Sequence, residues 1–232
     1  MSRRLIIAID GPSGAGKGTV ARAVAAALGY RHVDTGVMYR AVGWRAAALG
    51  VSLDDEPALA ALAAGLDLEL SGGVVRVNGQ DVTQAIRTVD MDRAASAVAV
   101  WPRVREALVA RQRAMGADGG IVMEGRDIGT VVFPRADVKV YLDASPSERA
   151  RRRATDATHE AARTRTPEQL EAEMRARDAQ DSRRADSPLA AAADAVRIDT
   201  TGLSIPDVVA RVLDLVRARQ SAPGSLLLDR RP

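Results

Sequence analysis

The 232-residue chain predicts an α/β fold: a parallel five-stranded sheet flanked by helices, with a small antiparallel meander inserted and a helical lid. Three observations carry that reading. Short apolar runs of strand length alternate with helical stretches, the order that builds a parallel sheet covered on both faces. A glycine-rich loop joins the first run directly to the first helix. Over residues 66–82 the apolar period turns from helical to alternating and then back.

In chain order, Leu-Ile-Ile-Ala-Ile at 5–9 suits the buried centre of a parallel sheet. The loop follows at 11–19, and 20–28 reads as an alanine-rich helix stopped by Gly29. A short strand is expected at 32–34, a helix at 36–49 and another at 55–64 with Pro57 near its start. In the meander Leu66, Leu68 and Leu70 alternate, Ser71-Gly72-Gly73 turns, 74–77 returns and Asn78-Gly79 turns again. Helices are predicted at 90–100 and 102–115, the second opened by Pro102. The remaining strands fall at 121–123, 138–142 and 195–198. Ser145-Pro146-Ser147-Glu148 has the form of a capping box opening an arginine-rich helix, and 205–219 closes the fold as an amphipathic helix.

Composition removes several classes of function. Without cysteine there are no disulfides, thiolate catalysis or sulfur-ligated metals, and a reducing cytoplasm is the natural compartment. Two histidines, His32 and His159, leave little room for a His-rich metal site. No apolar run is long enough to span a membrane, and the run after Arg3-Arg4 ends too soon, on Asp10, for a signal peptide. A net charge of +3 is small for a histone-like polyanion binder. Only Lys17 and Lys139 are lysine; every other basic side chain is arginine. Such a bias marks a surviving lysine as one that arginine cannot replace. That reading is applied to Lys17, and Lys139 is read as chance.

The glycine loop has the spacing Gly11-x4-Gly16-Lys17, which lets backbone N–H groups converge on a phosphate and aims a lysine at a transferring group. Gly18 stands between the lysine and Thr19, a departure from the strict pattern that resembles the Gly-Lys-Gly-Thr form of nucleoside monophosphate kinases. Ligands of open parallel sheets bind beyond the carboxyl ends of the strands. There the chain places Asp10, Asp34-Thr35, Glu124-Gly125, Asp143 and Asp199. Arg40 and Arg126 fall near two of these ends, with Arg105, Arg111 and Arg113 on the helix before the third strand. Guanidinium forks converging on one cleft suit a dianionic phosphate, while Arg111 and Arg113 singly read as a solvated helix face. Residues 148–186 are dense in arginine, with Arg149, Arg152 and Arg153 on one helix face. That arm reads either as a flap closing over a nucleotide or as a salt-bridged solvent face.

As a set these residues resemble the bacterial cytidylate kinases, from about Leu5 to Arg219. The match is carried by 11–19, 34–40, Pro102-Arg103-Val104-Arg105-Glu106-Ala107-Leu108, Gly125-Arg126-Asp127 and Gly129-Thr130-Val131-Val132-Phe133-Pro134. The resemblance implies a core of 1–34, 117–146 and 185–220, a monophosphate-binding region at 35–116 and a lid at 147–184; the tail at 221–232, with Pro223, Gly224 and Pro232, reads as loose from its own composition. It implies ATP held by Gly11, Pro12, Ser13, Gly14, Ala15, Gly16, Lys17, Gly18 and Thr19. Catalytic charge would come from Lys17, Arg126, Arg149 and Arg153. The acceptor would meet Asp34, Thr35, Arg40, Ser96, Arg105, Arg126, Asp127, Arg177, Asp181 and Arg184. Arg40 and Arg126 would take its phosphate, Ser96, Arg105 and Asp127 the cytosine edge, and Arg177 and Asp181 the ribose. Mg²⁺ would arrive with ATP, with no dedicated protein site. The partners implied are ATP and CMP or dCMP, with no nucleic acid, no membrane and a monomeric chain. Two alternatives stay open: a related kinase for UMP or another small acceptor, and a nucleotide-dependent regulatory or RNA-binding protein using the arginine-rich arm. Leu70-Ser71-Gly72-Gly73 resembles a transporter ATPase signature, but a strand follows it where that signature opens a helix.

Overall fold

The computed structural model describes residues 4–156, 164–184 and 186–221. Arg3, His159, Arg163 and the tail beyond Ser221 lie outside the described residues. The main sheet comprises β1 (Ile6–Asp10), β2 (Arg31–Asp34), β6 (Ile121–Gly125), β7 (Val138–Asp143) and β8 (Val196–Asp199). They are all parallel, in the order β2-β6-β1-β7-β8. Central β1 shows why an uninterrupted apolar run was needed. Ile7 and Ile9 pack under α1 (Lys17–Leu28) and the closing helix α8 (Ile205–Ser221). Ala8 faces the other layer, with Val109 of α5 (Pro102–Met115) and the π-helical turn Ile128–Val132. Both faces of the strand are dry, so alternation would have been destabilising.

The meander is β3 (Leu68–Ser71), β4 (Val74–Val77) and β5 (Gln80–Asp81), paired antiparallel. Its two-residue turns, Gly72-Gly73 and Asn78-Gly79, all have positive φ (58°, 84°, 50° and 78°), the hand that matches strand twist. Val75 and Val77 point inward and share a core with α2 (Thr35–Leu49), α3 (Glu56–Gly65), α4 (Val89–Val98) and α5. Trp101 joins this core and donates from Nε1 to the Leu53 carbonyl at 2.8 Å. Two further α-helices, α6 (Pro146–Ala154) and α7 (Pro167–Ser182), pack on each other through Ala150 and Leu170.

Three local expectations are corrected. Ser145 accepts from the Glu148 amide, but Glu148 does not reach back: its carboxylate holds Arg151 and Arg152 of its own helix at 2.8–2.9 Å. Two guanidiniums at i+3 and i+4 outcompete one neutral amide. The reciprocal box stands instead at Thr166 and Gln169, opening α7. Lys139 is no accident of composition. It is buried, and its Nζ donates to Pro134 O at 2.6 Å and to Asp194 Oδ1 at 2.8 Å. Arg113 is more than a solvated helix residue, since it donates to the carbonyls of Val131 and Val132 and so ties α5 to the π turn.

Candidate active site

The carboxyl ends of the strands open into one cleft of about 1830 Å³. Single small-molecule sites run to roughly 300–1,000 Å³, so this space accommodates two ligands. One end is built by the loop. At Gly11 (φ 145°) a Cβ would stand 2.0 Å from Leu142 O, so only glycine lets the chain leave β1 against β7. Gly16 (φ 88°) turns the chain into α1, whose first amides then face the cleft. Lys17 is buried, and its Nζ donates to the Pro12 carbonyl at 2.7 Å. Burial, then Arg126, holds its ammonium down to about 7, against the pull of Glu124, Asp34 and Asp10.

The same burial acts on the carboxylates beside it. Glu124 is pushed up by desolvation and then by Asp34, while the His32 Nε2 contact at 2.9 Å opposes the shift. Asp10 is pushed up to about 6 by burial, although it accepts from the amides of Gly129 and Ile128 at 2.7 and 2.8 Å. That pair fixes the π turn and so the approach of Asp127. Asp34 caps α2 by accepting from Gly36 N at 2.9 Å, and Thr35 Oγ1 donates to Glu124 O at 2.7 Å.

Ion pairs build the opposite wall. Arg105 Nη2 meets Asp127 Oδ2 at 2.5 Å, and its guanidinium lies over the Tyr39 ring, 5.8 Å from the centroid. Arg126 Nε donates to Asp181 Oδ2 at 3.0 Å, and Arg184 shares the same carboxylate. Arg40 Nη2 stands 3.5 Å from Asp34. Arg177 approaches Asp92 at 3.7 Å, and Arg153 bonds Asp92 from the lid side. Yet the Nε atoms of Arg105, Arg177 and Arg184 are buried without a hydrogen-bond partner among the described residues. Orphaned buried donors of that kind call for an acceptor.

The structure thus gathers most of the expected residues along one cleft: 13–19, Asp34, Thr35, Arg40, Arg105, Arg126, Asp127, Arg153, Arg177, Asp181 and Arg184 all line it. Gly11, Pro12, Ser96 and Arg149 do not. Ser96 Oγ donates to Asp92 O at 3.1 Å, and Arg149 turns behind the loop. Sequence reasoning missed His32 and Asp92, which do line the cleft. Strand period could have found His32, which precedes Asp34 by two in β2. Among the described residues no cluster of three or more His, Asp or Glu forms a metal cage. Thr19 lines the cleft, and the Glu124 carboxylate stands 3.2 Å from where a Gly18 Cβ would be. No described helix is long and apolar enough to cross a membrane.

A cradle of loop amides facing a wall of shared guanidiniums suits the movement of a phosphoryl group between two bound anions, which defines the P-loop phosphotransferase class. Comparison with known proteins resolves the class further. The cytidylate kinase family model matches residues 7–218, and the chain belongs to that family. It is 51% identical to the cytidylate kinase of Solibacter usitatus over 94% of each chain. It is 50% identical to that of Geobacillus kaustophilus over 94% of this chain and 99% of the relative. A shikimate kinase from Bacteroides thetaiotaomicron superimposes with a TM-score of 0.50 at 12% identity, over 92% of this chain and 98% of the other, a likeness of fold alone.

Proposed function

We propose that the loop end of the cleft holds ATP and the arginine wall holds CMP or dCMP, and that the γ-phosphoryl group passes between them to give ADP and CDP or dCDP. Family membership and the two relatives of about half identity support this activity. The observation that carries the assignment of ends is the set of orphaned guanidinium donors, Arg105, Arg177 and Arg184, which line the same cleft from elements other than the loop. A nucleoside monophosphate brings the acceptors they lack.

In this reading Arg40 and Arg126 take the acceptor phosphate. Arg177 and Asp181 reach the ribose with Arg184 alongside, and Arg105 and Asp127 read the base. Cytosine offers an exocyclic amine beside a ring nitrogen and a carbonyl; Asp127 accepts from the first and Arg105 donates to the others. Ser96 supports them once its hydroxyl turns from its own helix. An acceptor phosphate oxygen attacks the γ-phosphorus as the bond to the β-phosphate oxygen breaks, with Lys17 on the moving group and Arg153 closing from the lid. Mg²⁺ bound to ATP would supply charge neutralisation, and the Thr19 hydroxyl is placed to hold it. The core, monophosphate-binding and lid divisions follow the residues already given, the chain acts as a monomer without nucleic acid, and the absence of cysteine fits the cytoplasm. ADP release measured across CMP, dCMP, UMP, AMP and GMP tests the reading. CMP and dCMP should lead by a wide margin, and equal rates on UMP would overturn the base assignment.

A further inference from the structure

Arg149 does not line the cleft. It is buried, its Nε donates to Ala144 O at 3.1 Å, and its Nη1 donates to Ser13 O at 3.0 Å and to Asp178. Asp178, on α7, in turn accepts from Ser13 N at 3.4 Å. One residue of the phosphate loop is therefore held by both its carbonyl and its amide, from two different lid helices. The next residue is covered as well: a Cβ on Gly14 would meet Met174 Cε at 2.6 Å and Arg149 Cβ at 2.9 Å. Two apolar side chains would join helix to loop as firmly. A buried ion pair is a poor source of stability, but its directional bonds fix how a peptide unit is oriented.

We propose that the Arg149–Asp178 pair is a positioning device that couples the seating of the lid helices to the curvature of the phosphate loop. It sets the direction of the Ser13 peptide, and through it the amides that follow. The proposal rests on the reading that this loop holds ATP. It moves Arg149 from the group that touches substrate to the group that shapes the site.

The test is a double-mutant cycle with Asp178→Asn and Arg149→Lys, after wild-type protein has been shown to make ADP with CMP. Lysine cannot reach three acceptors from one planar fork, and asparagine keeps the shape while losing the charge. Each variant should raise the KM for ATP roughly tenfold, the cost of about one well-made hydrogen bond. The KM for CMP should stay within about twofold, since the acceptor wall keeps its own pairs. The double variant should be no worse than the poorer single, because both remove one unit. Amide exchange at residues 13–16 should quicken in all three. A melting point that falls with an unchanged ATP KM would leave only a structural role and overturn the proposal, as would parallel rises in both KM values or effects that multiply. Should Asp178→Asn not fold, the Arg149→Lys readings decide by the same criteria. A wild type that makes no ADP sinks the functional reading instead.

Discussion

The two ends of the cleft bind charge by different means. The loop end is made of backbone: glycines with positive φ, the first amides of α1, and one lysine folded onto the Pro12 carbonyl. Its donors are backbone amides set by chain geometry, with side chains holding only the Ser13 peptide from behind. The far wall is made of side chains that already hold one another, Arg105 with Asp127, Arg126 and Arg184 with Asp181, and Arg153 and Arg177 with Asp92. An anion arriving at the loop meets backbone donors, whereas an anion arriving at the wall meets three unfilled Nε donors and guanidiniums it must share with, or take from, a carboxylate. The first arrangement gives strong, unselective phosphate binding. The second makes selection possible, because a ligand that cannot replace the lost contacts leaves a buried charge bare.

Four measurements would break or sharpen this contrast. Lys17→Ala should keep its circular dichroism spectrum and lose roughly 10²–10³ in single-turnover rate, the scale of one preorganised charge at the transferring group; retention of a third of wild-type turnover would remove Lys17 from the chemistry. Asp127→Asn should lower kcat/KM for CMP roughly tenfold to a hundredfold and narrow or reverse the preference over UMP, since an amide can donate to uracil's carbonyl. An equal loss on both acceptors would make Asp127 a holder of Arg105 and no reader of the base.

The third measurement uses pH. Burial and Arg126 hold the free Lys17 ammonium down to about 7, and a bound polyphosphate raises it again. The bound form then carries the extra proton, so ATP affinity should fall as pH rises above about 7, by up to about tenfold per unit, with proton uptake on binding. Calorimetry in buffers of different ionisation enthalpy detects that proton, and an affinity flat from pH 7 to 9 would contradict it. The smallest effect is the control. Lys139 makes the same bond as Lys17, from Nζ to the carbonyl five residues back, but away from the cleft. Lys139→Met should cost about 1–3 kcal/mol in denaturant unfolding, the scale of an unsatisfied buried acceptor, and leave kcat and both KM values unchanged.

How legible each part was follows the same division. The loop and β1 could be read directly, because Gly11 to Thr19 is contiguous, Gly11, Gly14 and Gly16 are dictated by local φ, and Gly11 also by its approach to Leu142. The five-stranded sheet and both meander turns could be read from apolar period and paired turn residues. The wall could not. Arg105 and Asp127 are 22 residues apart and Arg126 and Asp181 are 55 apart, on different elements, so no local spacing announces them. The arginines could be placed near strand ends, but the roles of Asp127 and Asp181 came from family resemblance, which has nothing to say about a residue outside its motifs, and Asp92 was passed over for that reason. Local pattern also misled where a stronger partner stood nearby, as at Glu148, which favours two arginines over the helix start.

The shared carboxylates bear on the end of a turnover as much as on its beginning. When an anion leaves a half-buried, arginine-lined wall, the guanidiniums would ordinarily be stranded without counter-charge, and that penalty would slow its escape. Here Asp181 and Asp92 stand within reach to reclaim them. Departure becomes a swap of one acceptor for another, water need not flood the cleft first, and the wall returns to its starting pattern ready for the next acceptor.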